Sequence, residues 1–121
     1  MTGIDTTVAE VLDGWKDAIA RHDPEGVAAF FTDDAVFQGL RPEHSVGRQG
    51  VADYYASQPL GLTATYTALE NRRLSDDVIS GYQLVDFDFT DRASIRVHLS
   101  IILERISGSW LISHYHVSRV G

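Results

Sequence analysis

His114 and His116, separated by one tyrosine, are the residues of this 121-residue chain whose type and spacing best suit chemistry. On an extended strand, side chains two residues apart project side by side, roughly 7 Å apart at the backbone. Imidazole titrates near neutrality, so such a pair can move a proton to or from a molecule held beside it. The bland alternative is that inward imidazoles satisfy a buried hydroxyl or carbonyl and fix the strand. The pair can also supply two ligands to zinc or iron, but a metal site needs a third. His98 falls on the opposite face by strand alternation and His44 lies in an unpatterned loop, so no metal is expected.

Candidate companions follow from residue type. Gln83 is a hydrogen-bond donor on an otherwise apolar strand face, and Tyr54 and Tyr55 end a short helical pattern. Trp15, Phe37 and Phe87 would supply apolar walls, with Ile101 opposite His114 on the neighbouring strand. A mostly hydrophobic cavity with a few convergent polar groups suits a small ring-bearing or carbonyl-bearing ligand. Other polar clusters carry less. Asp33-Asp34 and Asp76-Asp77 read as turn chemistry, and Ser45 has no base partner in the sequence. Gly47-Arg48-Gln49-Gly50 has neither the length nor the lysine of a phosphate-binding loop. No cofactor is implied.

The elements that must position these residues divide the chain in two. Thr7 and Glu10 have capping-box spacing, and Val8, Val11, Leu12, Trp15 and Ile19 recur on one helical face. Asp23-Pro24 reads as N-cap and first residue of a second, short helix carrying Val27, Ala28, Phe30 and Phe31. Ala35-Val36-Phe37-Gln38 reads as a brief strand, and Val51, Tyr54 and Tyr55 mark a third helix closed by Pro59 and Gly61. From Leu62 the period becomes strand-like. Three long segments (Leu62 to Leu74, Val78 to Thr90, Ala93 to Ile106) and a shorter one, Trp110 to Ser118, are joined by breaks short enough for hairpins. Helices first and a meander afterwards predict an α+β domain spanning 1–121, with its helices on one face of the sheet.

Alternation sorts the faces. Ile95, Val97, Leu99, Ile101 and Leu103 form one apolar face, and Ile79, Gly81, Gln83, Val85, Phe87 and Phe89 form another. Taking Ser107-Gly108 as a two-residue turn pairs Ile101 with His114 and Leu99 with His116. That register turns Trp110, Ile112, His114, His116 and Ser118 inward. Leu111, Ser113, Tyr115 and Val117 then lie outward beside His98, Ser100 and Ile102. Such an apolar outer face predicts a homodimer through the sheet.

Composition excludes several partners. The hydrophobic fraction of 44% and charged fraction of 22% are ordinary globular values. A formal charge of −7, with ten Lys and Arg in no stripe, excludes nucleic acid and anionic membrane as expected partners. No apolar run reaches membrane-spanning length, and the N-terminus lacks the character of a signal peptide. The chain has no cysteine, which suits a reducing cytoplasm.

Several strings resemble the nuclear transport factor 2-like superfamily. They are Trp15-Lys16-Asp17-Ala18-Ile19 with His22-Asp23-Pro24, Phe30-Phe31-Thr32-Asp33-Asp34-Ala35-Val36-Phe37, and Gly47-Arg48-Gln49-Gly50-Val51 leading into Tyr54-Tyr55. The most specific is the ending, Gly108-Ser109-Trp110-Leu111-Ile112-Ser113-His114-Tyr115-His116-Val117-Ser118. The chain is similar to SnoaL-like members and to the association domain of calcium/calmodulin-dependent protein kinase II. The resemblance implies a cystatin-like cone, a curved antiparallel sheet around three N-terminal helices, often dimeric through the sheet. Members include isomerases, cyclases, dehydratases and non-catalytic hubs, so the shape alone does not give function. Two departures stand out. The carboxylate base of the cyclases and ketosteroid isomerases has no inward counterpart, since Asp86 and Asp88 have outward parity. The late-strand arginine of the kinase hub falls at Ile101.

Together these features predict a small-molecule-binding cone, acting as a cofactor-independent isomerase, cyclase or dehydratase through His114 and His116. The rival expectation is a non-catalytic binding or oligomerisation module whose cone is filled by its own side chains.

Overall fold

The computed structural model describes residues 3–120. Helix α1 (Gly3–Ala20) is followed by α2 (Pro24–Ala28), β1 (Phe31–Gln38), β2 (Ser45–Val46), α3 (Arg48–Ala56), β3 (Thr63–Ser75), β4 (Val78–Asp88), β5 (Ile95–Ile106) and β6 (Ser109–Arg119). The strands form one six-stranded curved sheet in the order β2-β1-β6-β5-β4-β3. All neighbours are antiparallel except β1 and β6, which run parallel and bring the first and last strands side by side within the sheet. The three helices occupy the concave side, which gives the expected α+β cone.

Amphipathic spacing sets the helix contacts. Val8, Val11, Leu12, Trp15 and Ile19 of α1 are all buried. The helix already includes Gly3, so Thr7 lies within it and donates to the Gly3 carbonyl (2.8 Å) instead of capping. Asp23 does cap α2, its Oδ1 accepting from the Gly26 amide at 3.0 Å, with Pro24 at the first helical position. This helix ends at Ala28, earlier than expected. Phe31 instead starts β1 opposite Ile112, and the Ile112 amide donates to the Phe30 carbonyl (2.8 Å). The strand tie outcompetes another helical turn here because it also buries Phe31 completely.

The meander follows its alternation closely. Val97, Leu99, Ile101 and Leu103 of β5 and Ile79, Gly81, Gln83, Val85 and Phe87 of β4 face the helices and are buried. Ile106 pairs with Ser109 around a two-residue turn in which Ser107 (φ 51°) and Gly108 (φ 83°) both have positive φ. That is the turn whose twist matches a hairpin.

The last strand departs from its expected register. Leu103 pairs with Ile112, but Ile102 pairs with His114, leaving Ser113 as an extra residue in a β-bulge. Trp110 and Ile112 therefore stay on the concave side, as expected. Beyond Ser113 the faces exchange: Tyr115 and Val117 point inward and are buried, and His114, His116 and Ser118 are exposed. The expected inward orientation of His114 and His116 is thus corrected, as is the outward placement of Tyr115 and Val117. The hairpin length agreed, and the cause lies inside the strand.

Candidate functional site

The interior of the cone is built from one aromatic residue or pair per element. Trp15 comes from α1, Phe37 from β1, Tyr54 and Tyr55 from α3, Phe87 from β4 and Tyr115 from β6, with Ile101 of β5 beneath. Phe37 stacks on Tyr115 with ring centres 4.6 Å apart and meets Tyr54 edge-on at 4.9 Å. Trp15 lies 6.0 Å from Tyr115 and 6.1 Å from Phe87. Such pairs add about 0.5–1.5 kcal/mol each beyond area burial, so the cluster is a rigid plug.

Its polar atoms form a short chain. Trp15 Nε1 donates to Tyr55 Oη at 3.3 Å, and Tyr55 Oη lies 3.3 Å from Tyr115 Oη. Tyr55 Oη accepts the indole proton, and one phenol of the pair donates to the other. The two hydroxyls therefore hold one proton more than these contacts accept. Burial pushes both phenols well above the ordinary tyrosine range, so they stay neutral and act as donors, never as bases near neutrality. Tyr54 Oη accepts from the Leu40 amide at 3.1 Å, and the Arg41 guanidinium sits 5.4 Å from its ring. Burial raises the Tyr54 pKa too, opposed by that amide and by Arg41.

Gln83 is fully buried but points its amide away from the aromatic plug. Its Nε2 donates to Asn71 Oδ1 (3.0 Å), and Asn71 Nδ2 donates to Asp5 Oδ1 (3.0 Å). Among the described residues its Oε1 has no partner. An unmet buried acceptor costs about 1–3 kcal/mol.

Little room remains at the mouth. Leu40, Tyr54, Gln58, Leu62, Phe87 and Phe89 surround a space of about 10 Å³, enough for one water molecule. The structure therefore brings Trp15, Phe37, Tyr54, Tyr55, Phe87 and Ile101 together as packed wall. It separates them from His114 and His116, which lie across the sheet. His114 sits between Val36 and Ile102, and His116 between Gln38 and Ser100. His98 shares that convex face, its ring stacked on Tyr82 at 5.4 Å. Among the described residues no three His, Cys, Asp or Glu side chains converge in a way that could hold a metal, and no helix is long and apolar enough to cross a membrane.

Tyr115 is the interior residue that sequence reasoning placed on the wrong side. A signal for it exists: the apolar positions Trp110, Ile112, Tyr115 and Val117 slip phase by one residue after Ile112. A single inward phase cannot bury all four, and a bulge can.

The cone has counterparts among solved structures. A Xanthomonas campestris structure described as a calcium/calmodulin dependent protein kinase II association domain has a TM-score of 0.84 at 23% identity, covering 93% of this chain and 85% of that one. A ketosteroid isomerase-like protein from Erwinia carotovora has a TM-score of 0.81 at 21% identity, covering 96% and 95%. A Nostoc punctiforme domain of unknown function with a cystatin-like fold has a TM-score of 0.85 at 16% identity, covering 100% and 80%. At these identities the likeness is one of fold. No curated protein sequence matches the chain. Residues 8–121 match the SnoaL-like domain, and with that match over nearly all its length the chain belongs to the SnoaL-like family.

Proposed function

We propose that this chain is a non-catalytic association module of its family, pairing two copies through the convex face of the sheet. The observation that carries this reading is the plugged cone. Trp15, Phe37, Tyr55 and Tyr115 fill the volume where a substrate would sit, and among the described residues no carboxylate or imidazole lines the small space left at its mouth. The convex face suits a partner better. Tyr82, Leu84, Ile102, Leu111 and Val36 interleave there with His98, His114, His116 and Ser100, and charges stand at its margins, as in the Asp86–Arg96 pair. A centre poor in charge with a polar rim is the usual composition of an interface. Sedimentation equilibrium at micromolar concentration tests this. A dimer that Ile102→Glu converts to a folded monomer supports it, and a wild-type monomer refutes it.

A second reading, ligand binding in the cone, is favoured by one observation: the surplus phenol proton of Tyr55 and Tyr115. A carbonyl oxygen entering between Tyr54 and Phe87 would accept it. This route needs the plug to open, and it makes the tyrosines donors to a small carbonyl-bearing ring, without a base for proton abstraction. Thermal shift of at least 2 °C with a steroid or aromatic ketone, abolished in Tyr115→Phe with Tyr55→Phe, would decide for it.

A further inference from the structure

A further opening lies outside the cone. It is a cleft of about 400 Å³ between the first half of α1 and the β5–β6 hairpin, walled by Val11, Phe30, Trp110 and Leu111 and edged by Thr7 and Glu10. That volume falls in the range of small-molecule sites.

Phe30 is seated there deliberately. A Cβ on Gly14 would stand 2.2 Å from Phe30 Cζ, so the ring packs where a side chain on α1 would be. Glycine inside a helix costs about 1 kcal/mol relative to alanine, and this helix carries that loss to hold the ring. Trp110 is half-buried and has the Arg105 guanidinium 5.3 Å from its ring. Arg105 itself is tied to Asp77 at 2.8 Å, which offsets its charge.

The polar edge offers acceptors. Thr7 Oγ1 gives its proton to the Gly3 carbonyl and keeps its lone pairs. Glu10 is exposed and, among the described residues, has no hydrogen bond or ion pair. The whole chain is anionic, at −7. Aromatic walls with an unpaired carboxylate at the rim select a flat apolar body bearing a positive charge.

We propose that this cleft binds a small arylalkylammonium cation, its ring against Phe30 and Trp110 and its ammonium on Glu10 and Thr7. The site lies beside the convex face that the association reading uses, and of the residues named for each, Leu111 alone borders both.

The test is an NMR titration of the full chain with phenethylammonium, followed at the Trp110 indole N–H and the amides of Glu10, Val11 and Phe30. The uncharged 2-phenylethanol and the anionic 3-phenylpropionate serve as matched probes. Saturable shifts confined to the cleft are expected with the cation, and about tenfold weaker binding with 2-phenylethanol or in Glu10→Gln. Trp110→Ala should abolish the shifts. Because that change touches packing, Ala29→Leu, which fills the cleft from an exposed position, should do the same in a chain with unchanged far-UV circular dichroism. Equal affinity for all three probes, shifts scattered over the molecule, or no shift at millimolar cation would each overturn the assignment.

Discussion

Ile102 faces His114 across β5 and β6 on the convex side of the sheet, although the neighbouring Leu103 faces Ile112 on the concave side. The one residue left over between these pairs, Ser113, decides which side chains enter the cone. Its hydroxyl donates to the Ile102 carbonyl at 3.4 Å, at the point where the ladder is interrupted.

That relationship separates His114 and His116 energetically from their neighbour. His114→Ala and His116→Ala remove exposed side chains and should each change stability by no more than about 0.5 kcal/mol. Tyr115→Ala removes a fully buried ring in contact with Trp15, Phe31 and Phe37, and should cost about 3–5 kcal/mol. Urea unfolding of the three variants checks the contrast, and a large loss in either histidine variant would contradict the register.

The two hydrogen-bonded phenols of the cone, Tyr55 and Tyr115, are also unequal. Tyr55→Phe strands the buried Trp15 N–H without its acceptor, with an expected loss of about 1–3 kcal/mol. Tyr115→Phe leaves that bond intact and should cost less than Tyr55→Phe. Equilibrium denaturation of both, followed by tryptophan emission, orders them.

Gly14→Ala sets helix propensity against packing. An exposed helix position would gain about 1 kcal/mol from this change. Here the added methyl overlaps Phe30, and a net loss of about 1–3 kcal/mol is expected. The double variant Gly14→Ala/Phe30→Leu should recover most of it, measured as the thermal midpoint.

Alkaline pH should destabilise the fold. Burial first, and then the hydrogen bond to Asp13 (2.8 Å) and its charge, push Tyr66 up to about 12, and burial raises Tyr54, Tyr55 and Tyr115 as well. The folded state then holds protons that the unfolded chain has released. The stabilising contribution is complete below the unfolded tyrosine pKa of about 10 and is lost as pH rises through the folded values. Stability should therefore fall between about pH 10 and 12, with the tyrosinate absorbance of these four residues appearing late and together with unfolding. Tyr66→Phe should flatten the part of that slope due to Tyr66.

How far the sequence could be read depended on how local each determinant was. The α1 face, the Asp23 cap and the strict alternation of β4 and β5 are short-range patterns, and all stand in the fold as expected. The early end of α2 depends on Ile112 pairing with Phe31, a partner some eighty positions away, and no local rule reveals it. The orientation of His114 failed for another reason. Parity extended from the hairpin through Ser113 assumes an unbroken ladder, whereas the apolar phase of Tyr115 and Val117 requires a break. Alternation puts Gln83 inside, where it is buried, but its hydrogen bond runs to Asn71 on β3, which intrastrand alternation cannot show. Whether the cone is open depends on rotamers of six rings from five elements, the least local property of all.

The position of β6 between β1 and β5 has a kinetic consequence. Until residues 109–119 have been made, β1 has no route into the sheet, and β5 presents a bare row of amides and carbonyls. Closing the parallel β1–β6 contact brings together positions about eighty apart, a non-local step that slows folding and exposes intermediates to aggregation. During synthesis the helices and the β3–β5 meander can collapse early, but the aromatic plug cannot assemble before Tyr115 has emerged.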